Sequence, residues 1–395
     1  MSVSNLTTSR ALQRTNYCEH PIRLRGIRLD TGEIKDNVYV PCGTRRRSKC
    51  IGCSDVYEQD AYHVAASGWN PEASYAWVTL TAPGAEEFGC QHHVFCGTDG
   101  KRRCTPRRKC PGCGNEVPAC KRLHKQGDPL IGVPVCDCFD YAKAAAFNGA
   151  VSALWTETME LLNEAMELAD GRLQYIKVFE FQRRGLVHAH ALIRGVTDAE
   201  TVLAAVQLAE HNGFTWGENS KVEIIGPQRK KRAKRAFSYL CKYATKSVAD
   251  NEQTASRSLR EHLQELRRHS AVCPHKLSRN ETVEEHAKSC RRLRASLDGL
   301  GHAGHVLTKS HDWGSSFAEQ RRARREYAAS GEHIEWIWEV VGYGYELGSL
   351  VEDALAYKFL RLIRQARQQT GPPFVWRIIL DAEGETMDDA LPLPF

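Results

Sequence analysis

Several things are missing from this 395-residue chain, and each absence narrows the reading. No run of residues is apolar for long enough to span a bilayer, which takes about 20 residues as a helix, so a membrane protein is not expected. Met1 to Ser9 carries no charged region followed by an apolar run, so no export signal is read there and a cytoplasmic location is the expectation. No segment repeats at a fixed period, which argues against a solenoid or propeller. No phosphate loop is present either. The nearest candidate ends in Lys309-Ser310 and has Thr308 where the second glycine should stand.

What the chain has in excess is cysteine. Fifteen cysteines in a reducing compartment argue for bound metal rather than disulfides. Cys50-x-x-Cys53 and Cys110-x-x-Cys113 have zinc-knuckle spacing. Cys18 and Cys42 are the candidates to complete the first site, and Cys136 and Cys138 the second. Cys90, Cys96, Cys104, Cys120 and His124 leave room for a third. Cys273-x-His275 with His286-x-x-x-Cys290 offers another set, although the latter pair reads more simply as part of a charged helix.

The net charge of +6 is modest but unevenly spread. Basic residues cluster at Arg45 to Arg47, at Lys101 to Arg103, at Arg107 to Lys109 and at Arg229 to Arg235, while the C-terminal end is acidic. Clustered cations suit a polyanionic partner.

Periodicity predicts a strand over Tyr75 to Thr81, stopped by Pro83-Gly84, and a long helix from Phe139 to about Leu168. Strands follow at Tyr175 to Gln182 and Leu186 to Arg194, then a helix over Ala199 to Glu210 and a strand over Lys221 to Ile225. Ala255 to Leu300 reads as charged and mostly helical, and Glu332 to Gln368 as a further helix-like stretch. This order implies an α+β fold with a central antiparallel sheet, flanking helices, cysteine-rich modules and a helical C-terminal region.

Two segments carry chemistry. In Leu186 to Ile193 alternate side chains share a face, so His188 and His190 stand together, about 7 Å apart along the strand. Arg183-Arg184-Gly185 fits a three-residue hairpin loop with glycine in the left-handed position. That register sets Gln182 against Leu186 and Glu180 against His188. Two imidazoles and a carboxylate with open positions suit Mg²⁺ or Mn²⁺ that also holds a phosphate oxygen. The second segment is helical. Tyr239 and Tyr243 are one turn apart on one face, with Lys242 and Lys246 each three residues beyond a tyrosine. A phenol near its ordinary pKa of about 10 is a poor nucleophile, and a cation or lysine is needed to activate it. Arg229, Lys230, Lys231, Arg232, Lys234 and Arg235 lead into this helix and suit phosphate contacts.

With these motifs in view, the chain resembles the HUH endonuclease superfamily, and within it the rolling-circle replication initiators of actinobacterial plasmids and integrative elements. Trp77 to Thr81, Glu180 to His190 and Tyr239 to Lys246 match that family's three motifs in order. Cys42 to Cys53, Cys136 to Tyr141 and Gly304 to Ser310 extend the likeness over roughly residues 40 to 325. The resemblance implies a metal-dependent DNA endonuclease and strand transferase. His188, His190 and Glu180 would be its metal ligands, and Tyr239 and Tyr243 its nucleophiles, with the order of attack open. It implies a zinc-module-like DNA-binding region over 1–70, a nuclease domain over 71–250 with a cysteine-rich insertion at 85–138, a basic helical region over 251–330 and a helical region with an acidic tail over 331–395.

The expected partners are plasmid origin DNA, double-stranded where it is bound and single-stranded at the nick, with a host helicase and polymerase. Ala390 to Phe395 resembles the short peptide by which bacterial replication proteins hold the sliding clamp, with alanine in place of the leading glutamine, so a clamp contact through Leu391 to Phe395 is an expectation. The competing expectations are a two-tyrosine transposase and, from another class, a zinc-dependent DNA-binding regulator with an inactive nuclease site.

Overall fold

A computed structural model describes residues 15, 17–91, 109, 110, 112–116, 124, 128–167, 172–246, 255–273, 280–328 and 336–343. The chain divides into two compact units. One comprises residues 1–57 and 331–395, the other residues 58–330.

The first unit is built on an antiparallel sheet. Strand β1 (Ile22–Arg28) lies between β2 (Ile34–Val40) and β10 (Trp336–Tyr343). The turn from β1 to β2 passes through Gly32 at φ +70°, where glycine carries no steric cost. Strand β10 corrects one expectation. Residues 336–343 fall inside the stretch expected to be helix-like, yet they extend and pair with β1. Trp336, Ile337, Trp338, Val340, Val341 and Tyr343 are strand formers, and a distant partner strand supplies the ladder that local periodicity does not reveal. The rest of that stretch, the acidic tail and Leu391 to Phe395 lie outside the described residues.

The second unit is a five-stranded sheet in the order β8-β3-β5-β4-β9, antiparallel throughout. Its strands are β3 (Tyr75–Leu80), β4 (Gln174–Phe181), β5 (Val187–Arg194), β8 (Lys221–Ile225) and β9 (Leu307–Lys309). The two short strands β6 (Glu210–His211) and β7 (Phe214–Thr215) form a separate hairpin. Nine helices are described: α1 (Ile51–Ser67), α2 (Ala85–Phe88), α3 (Tyr141–Ala165), α4 (Ala199–Leu208), α5 (Lys230–Ala244), α6 (Arg257–His269), α7 (Val283–Ser289), α8 (Arg291–Asp298) and α9 (Phe317–Ala328).

Alternation assigns the sheet its two faces. Ala76, Val78, Leu80, Phe179, Val187, Ala189, Ala191 and Ile193 point one way and pack with Phe147, Val151, Leu154 and Trp155 of α3 and Val202, Ala205 and Val206 of α4 in the main core. Asp140 caps α3, its carboxylate accepting from the Lys143 backbone N–H at 2.8 Å, and Asp198 caps α4 at Glu200 and Thr201. The opposite face carries Trp77, Thr79, His188, His190 and Glu180. Helix α5 packs across β4 and β5 on that side, and its Ala233, Ala236, Phe237, Leu240 and Ala244 are buried.

The β4–β5 hairpin is braced from behind. Asn148, fully buried on α3, donates to the Gly185 and Leu300 carbonyls, both at 2.8 Å, and accepts from the Val187 N–H at 2.9 Å. Buried His262 of α6 lies 3.0 Å from the Arg184 carbonyl and 3.2 Å from the Tyr141 hydroxyl. The loop itself is the expected three-residue turn. The Gln182 N–H donates to the Leu186 carbonyl at 2.9 Å, and Gly185 sits at φ +81°.

Candidate active site and cysteine clusters

The hairpin register puts Glu180 opposite His188 and Val178 opposite His190. On the other side of β5, β3 sets Thr79 opposite His190. His190 is therefore held between strands. Its Nδ1 lies 3.2 Å from Thr79 Oγ1, its ring stacks on Trp77 at 6.0 Å, and its Nε2 lies 3.4 Å from Glu180 Oε2. The His188 ring stands 6.0 Å from the His190 ring, with Gln182 Nε2 at 3.4 Å from His188 Nδ1.

His188 Nε2 is buried without a hydrogen-bond partner. Burial, aided by His190 and Arg184, lowers the His188 pKa to about 3, so the ring is neutral at ordinary pH, the form in which an imidazole binds a metal. A neutral imidazole with an orphaned nitrogen, beside a second imidazole and a carboxylate, has the chemistry of a divalent-cation site. The three donors do not close as tightly as the cysteine sets described below. Glu180 instead makes an ion pair with Lys246, Nζ to Oε1 at 2.9 Å.

Helix α5 brings both phenols over this face. The Tyr239 and Tyr243 rings lie 5.2 and 5.0 Å from the His190 ring and 4.4 Å from each other. Tyr239 also meets Trp77 edge-on at 5.4 Å, and Lys246 Nζ sits 4.0 Å above the Tyr243 ring. The pKa of both phenols is raised, by burial first. The hydrogen bond between them and the charge of Glu180 add to the rise at Tyr243. Lys242 is exposed on the last turn. The basic run occupies the first turns of α5 itself. Arg229 is its N-cap without a side-chain cap, Lys230, Lys231, Arg232 and Arg235 are exposed, Lys234 is half-buried, and Arg232 pairs with Glu223 of β8.

Trp77 and Thr79 were not singled out as site residues by sequence. Their role depends on β3 pairing with β5 across more than 100 residues. The available signal is that both share a face of one strand.

The cysteines assemble into sets whose ligand atoms all lie within 4.8 Å of one another: Cys18, Cys42, Cys50 and Cys53; Cys110, Cys113, Cys136 and Cys138; and a smaller group of Cys273, His286 and Cys290. Tetrahedral zinc with bonds of about 2.3 Å requires sulfurs about 3.8 Å apart. Cys18 to Cys50 is 3.9 Å, Cys42 to Cys53 is 3.6 Å, Cys110 to Cys138 is 3.4 Å and Cys113 to Cys136 is 3.5 Å. Hydrogen bonds from Cys18 and Cys53 push the Cys50 thiol down, toward the thiolate form that binds metal. The two four-cysteine clusters are those expected from spacing, and they fit structural zinc. Cys90 packs against the second cluster, and His124 pairs with Asp128 at 2.8 Å. Cys96, Cys104 and Cys120, the other candidates for a further site, lie outside the described residues.

Antiparallel sheets, helices and two four-cysteine clusters define a mixed α+β protein with zinc-module-like elements. Its sequence matches the model of one family, "Replication initiator protein, pSAM2" (RepSA), over residues 7–211 and 196–345, and the chain belongs to that family. It is similar to a replication initiator protein of Streptomyces ambofaciens, at 27% identity over a 444-residue alignment covering 91% of each chain. No solved structure matches it. Among the described residues, no helix is long and apolar enough to cross a membrane.

Proposed function

We propose that this replication initiator nicks one strand of its origin by tyrosine attack and remains joined to the 5′ end. The observation that carries this reading is the convergence of two phenols on one imidazole, with Glu180 and His188 beside it. Glu180, His188 and His190 would hold the cation, and when bound Mg²⁺ or Mn²⁺ would polarise the scissile phosphodiester. The phenol of Tyr239 or Tyr243 gives up its proton and forms an O–P bond. The P–O3′ bond breaks, and the departing 3′ oxygen takes up a proton to become a free hydroxyl for a polymerase. Lys246, over the Tyr243 ring, offsets the negative charge of phenolate and phosphate. Lys242, one turn earlier, borders the same face. Two nucleophiles permit one transfer that opens the cycle and one that closes it, each conserving bond energy.

The start of α5 supports a DNA partner. Cations at a helix N-terminus oppose the helix dipole, at a cost of up to about 1 kcal/mol each. Arg229, Lys230, Lys231 and Arg232 accept that cost at the terminus where the dipole favours an anion, and Lys234 and Arg235 extend the basic run along the next turn. A phosphate backbone laid there would lead its strand toward the tyrosines. The zinc modules would grip the duplex, a host helicase would unwind it, and Leu391 to Phe395 would recruit the sliding clamp, in the bacterial cytoplasm.

The test is incubation of the full chain with a supercoiled plasmid carrying the DNA that flanks its gene, with Mg²⁺ or Mn²⁺. Wild type is expected to open the circle and leave a denaturation-resistant adduct, with a nucleotide on the tryptic peptide of Tyr239 or Tyr243. The Tyr239→Phe, Tyr243→Phe double variant should bind the same DNA and yield no adduct. An adduct surviving in that variant would place the nucleophile elsewhere.

A further inference from the structure

We infer that Cys273, His286 and Cys290 hold a third zinc ion, in the helical region behind the β4–β5 hairpin. Their donors are contributed by separate segments. Cys273 follows α6, His286 lies on α7, and Cys290 stands between α7 and α8. Cys273 Sγ is 3.3 Å from His286 Nε2 and 3.5 Å from Cys290 Sγ. A tetrahedral zinc with bonds of about 2.3 Å to sulfur and 2.0–2.1 Å to nitrogen would ask for about 3.6 and 3.8 Å. A slight opening of the trio admits the ion.

The surroundings of each donor match the task. His286 presents Nε2 to the cysteines while its Nδ1 lies 3.0 Å from Glu281 Oε1. A carboxylate on the far ring nitrogen fixes the tautomer and orients the imidazole, as it does behind histidines that bind zinc. Glu281 adjoins a capping box in which the Thr282 and Glu285 side chains secure the first turn of α7. Cys290 is the N-cap of α8, its sulfur accepting the Leu293 N–H at 3.4 Å. A helix N-terminus favours thiolate over thiol, the form that binds metal. Sequence spacing alone made His286 and Cys290 look like two residues of one charged helix. The chain instead breaks between α7 and α8 at Cys290, and that break turns its sulfur toward Cys273.

The ion would be a staple. α7 and α8 are short, at 7 and 8 residues, and isolated helices of that length are marginal. The Ser296 hydroxyl of α8 already donates to the Ser270 carbonyl at the end of α6, at 2.6 Å. Zinc would add α7 to this link and tie the start of α8 to the segment after α6, and so hold α6, which braces the hairpin.

Zinc content of the full chain, purified in zinc and passed over a weak chelating resin, tests this by inductively coupled plasma mass spectrometry. Cys290→Ser should carry one equivalent less than wild type, and His286→Cys, which keeps a soft donor in place, should retain it. Equal zinc in Cys290→Ser and wild type would overturn the site. If Cys290→Ser does not fold, native wild type is alkylated with iodoacetamide with and without a strong chelator and mapped by peptide. Cys273 and Cys290 should react only after chelation, and modification at the same rate in both conditions would overturn it.

Discussion

Lys246 shows how one residue can hold a site in waiting. Its ammonium pairs with Glu180 Oε1 at 2.9 Å and lies over the Tyr243 ring, so it engages the carboxylate proposed above as a cation ligand. An exposed ion pair of this kind contributes about 0.2–1 kcal/mol. Removing the lysine should therefore release Glu180 and tighten Mn²⁺ binding by up to about fivefold. The same change removes a charge that offsets the phenolate. Lys246→Ala is thus expected to bind Mn²⁺ more tightly by calorimetry and to nick more slowly. Weaker Mn²⁺ binding in the variant would show that the lysine does not compete for Glu180. Asn148 is the contrasting case, a residue with no chemical task whose amide satisfies three backbone groups around the hairpin.

At the scale of elements, the β4–β5 hairpin decides whether Glu180 and His188 face each other. Gly185 takes φ +81°, and a Cβ there would meet Leu266 Cδ2 at 2.5 Å and Leu263 Cδ2 at 3.3 Å. A left-handed conformation costs an ordinary residue about 1–2 kcal/mol, and the collision with α6 adds the strain of overpacking, about 1–3 kcal/mol. Gly185→Ala should destabilise the chain by about 2–5 kcal/mol on those two terms, read as a fall in denaturant midpoint. An unchanged midpoint would mean that α6 yields freely. This hairpin was readable in the sequence because everything it needs is local: alternation, a three-residue loop and a glycine at its end. Glu180 opposite His188 followed from that register. The tyrosine half of α5 was equally legible from tyrosines and lysines at helical spacing, whereas the basic run read as leading into the helix forms its first turns. The pairings of β3 with β5 and of β1 with β10 were not, because they join strands far apart in the chain and leave no periodic mark on either partner. Thr79 and Trp77 consequently escaped notice as neighbours of His190, and Trp336 to Tyr343 read as helix.

For the molecule as a whole, cysteine spacing gave the two four-sulfur sets correctly, since Cys-x-x-Cys is local and only a few cysteines remain to complete each set. It could not give the geometry around Cys273, which depends on where two short helices break. Stability of the larger unit also has a pH signature, carried in part by a histidine behind the hairpin that takes no part in the proposed chemistry. His262 is buried between Phe139, Tyr141 and the Arg184 carbonyl, and burial lowers its pKa from the ordinary value near 6.5, while the hydrogen bond to that carbonyl opposes the shift. In the unfolded chain the same imidazole takes up a proton near pH 6.5, whereas the folded one resists until lower pH. Over that interval the unfolded state binds more protons, so stability must fall as pH falls below about 6.5, by at most about 1.4 kcal/mol per pH unit for this group. Above that pH both states are neutral and the term is flat. Thermal unfolding of the full chain between pH 8 and 5 should show this loss, and His262→Gln, which keeps a side-chain amide for the Arg184 carbonyl but cannot titrate, should show a shallower slope. Parallel slopes in the two proteins would mean that protonation of His262 is not what acid works against.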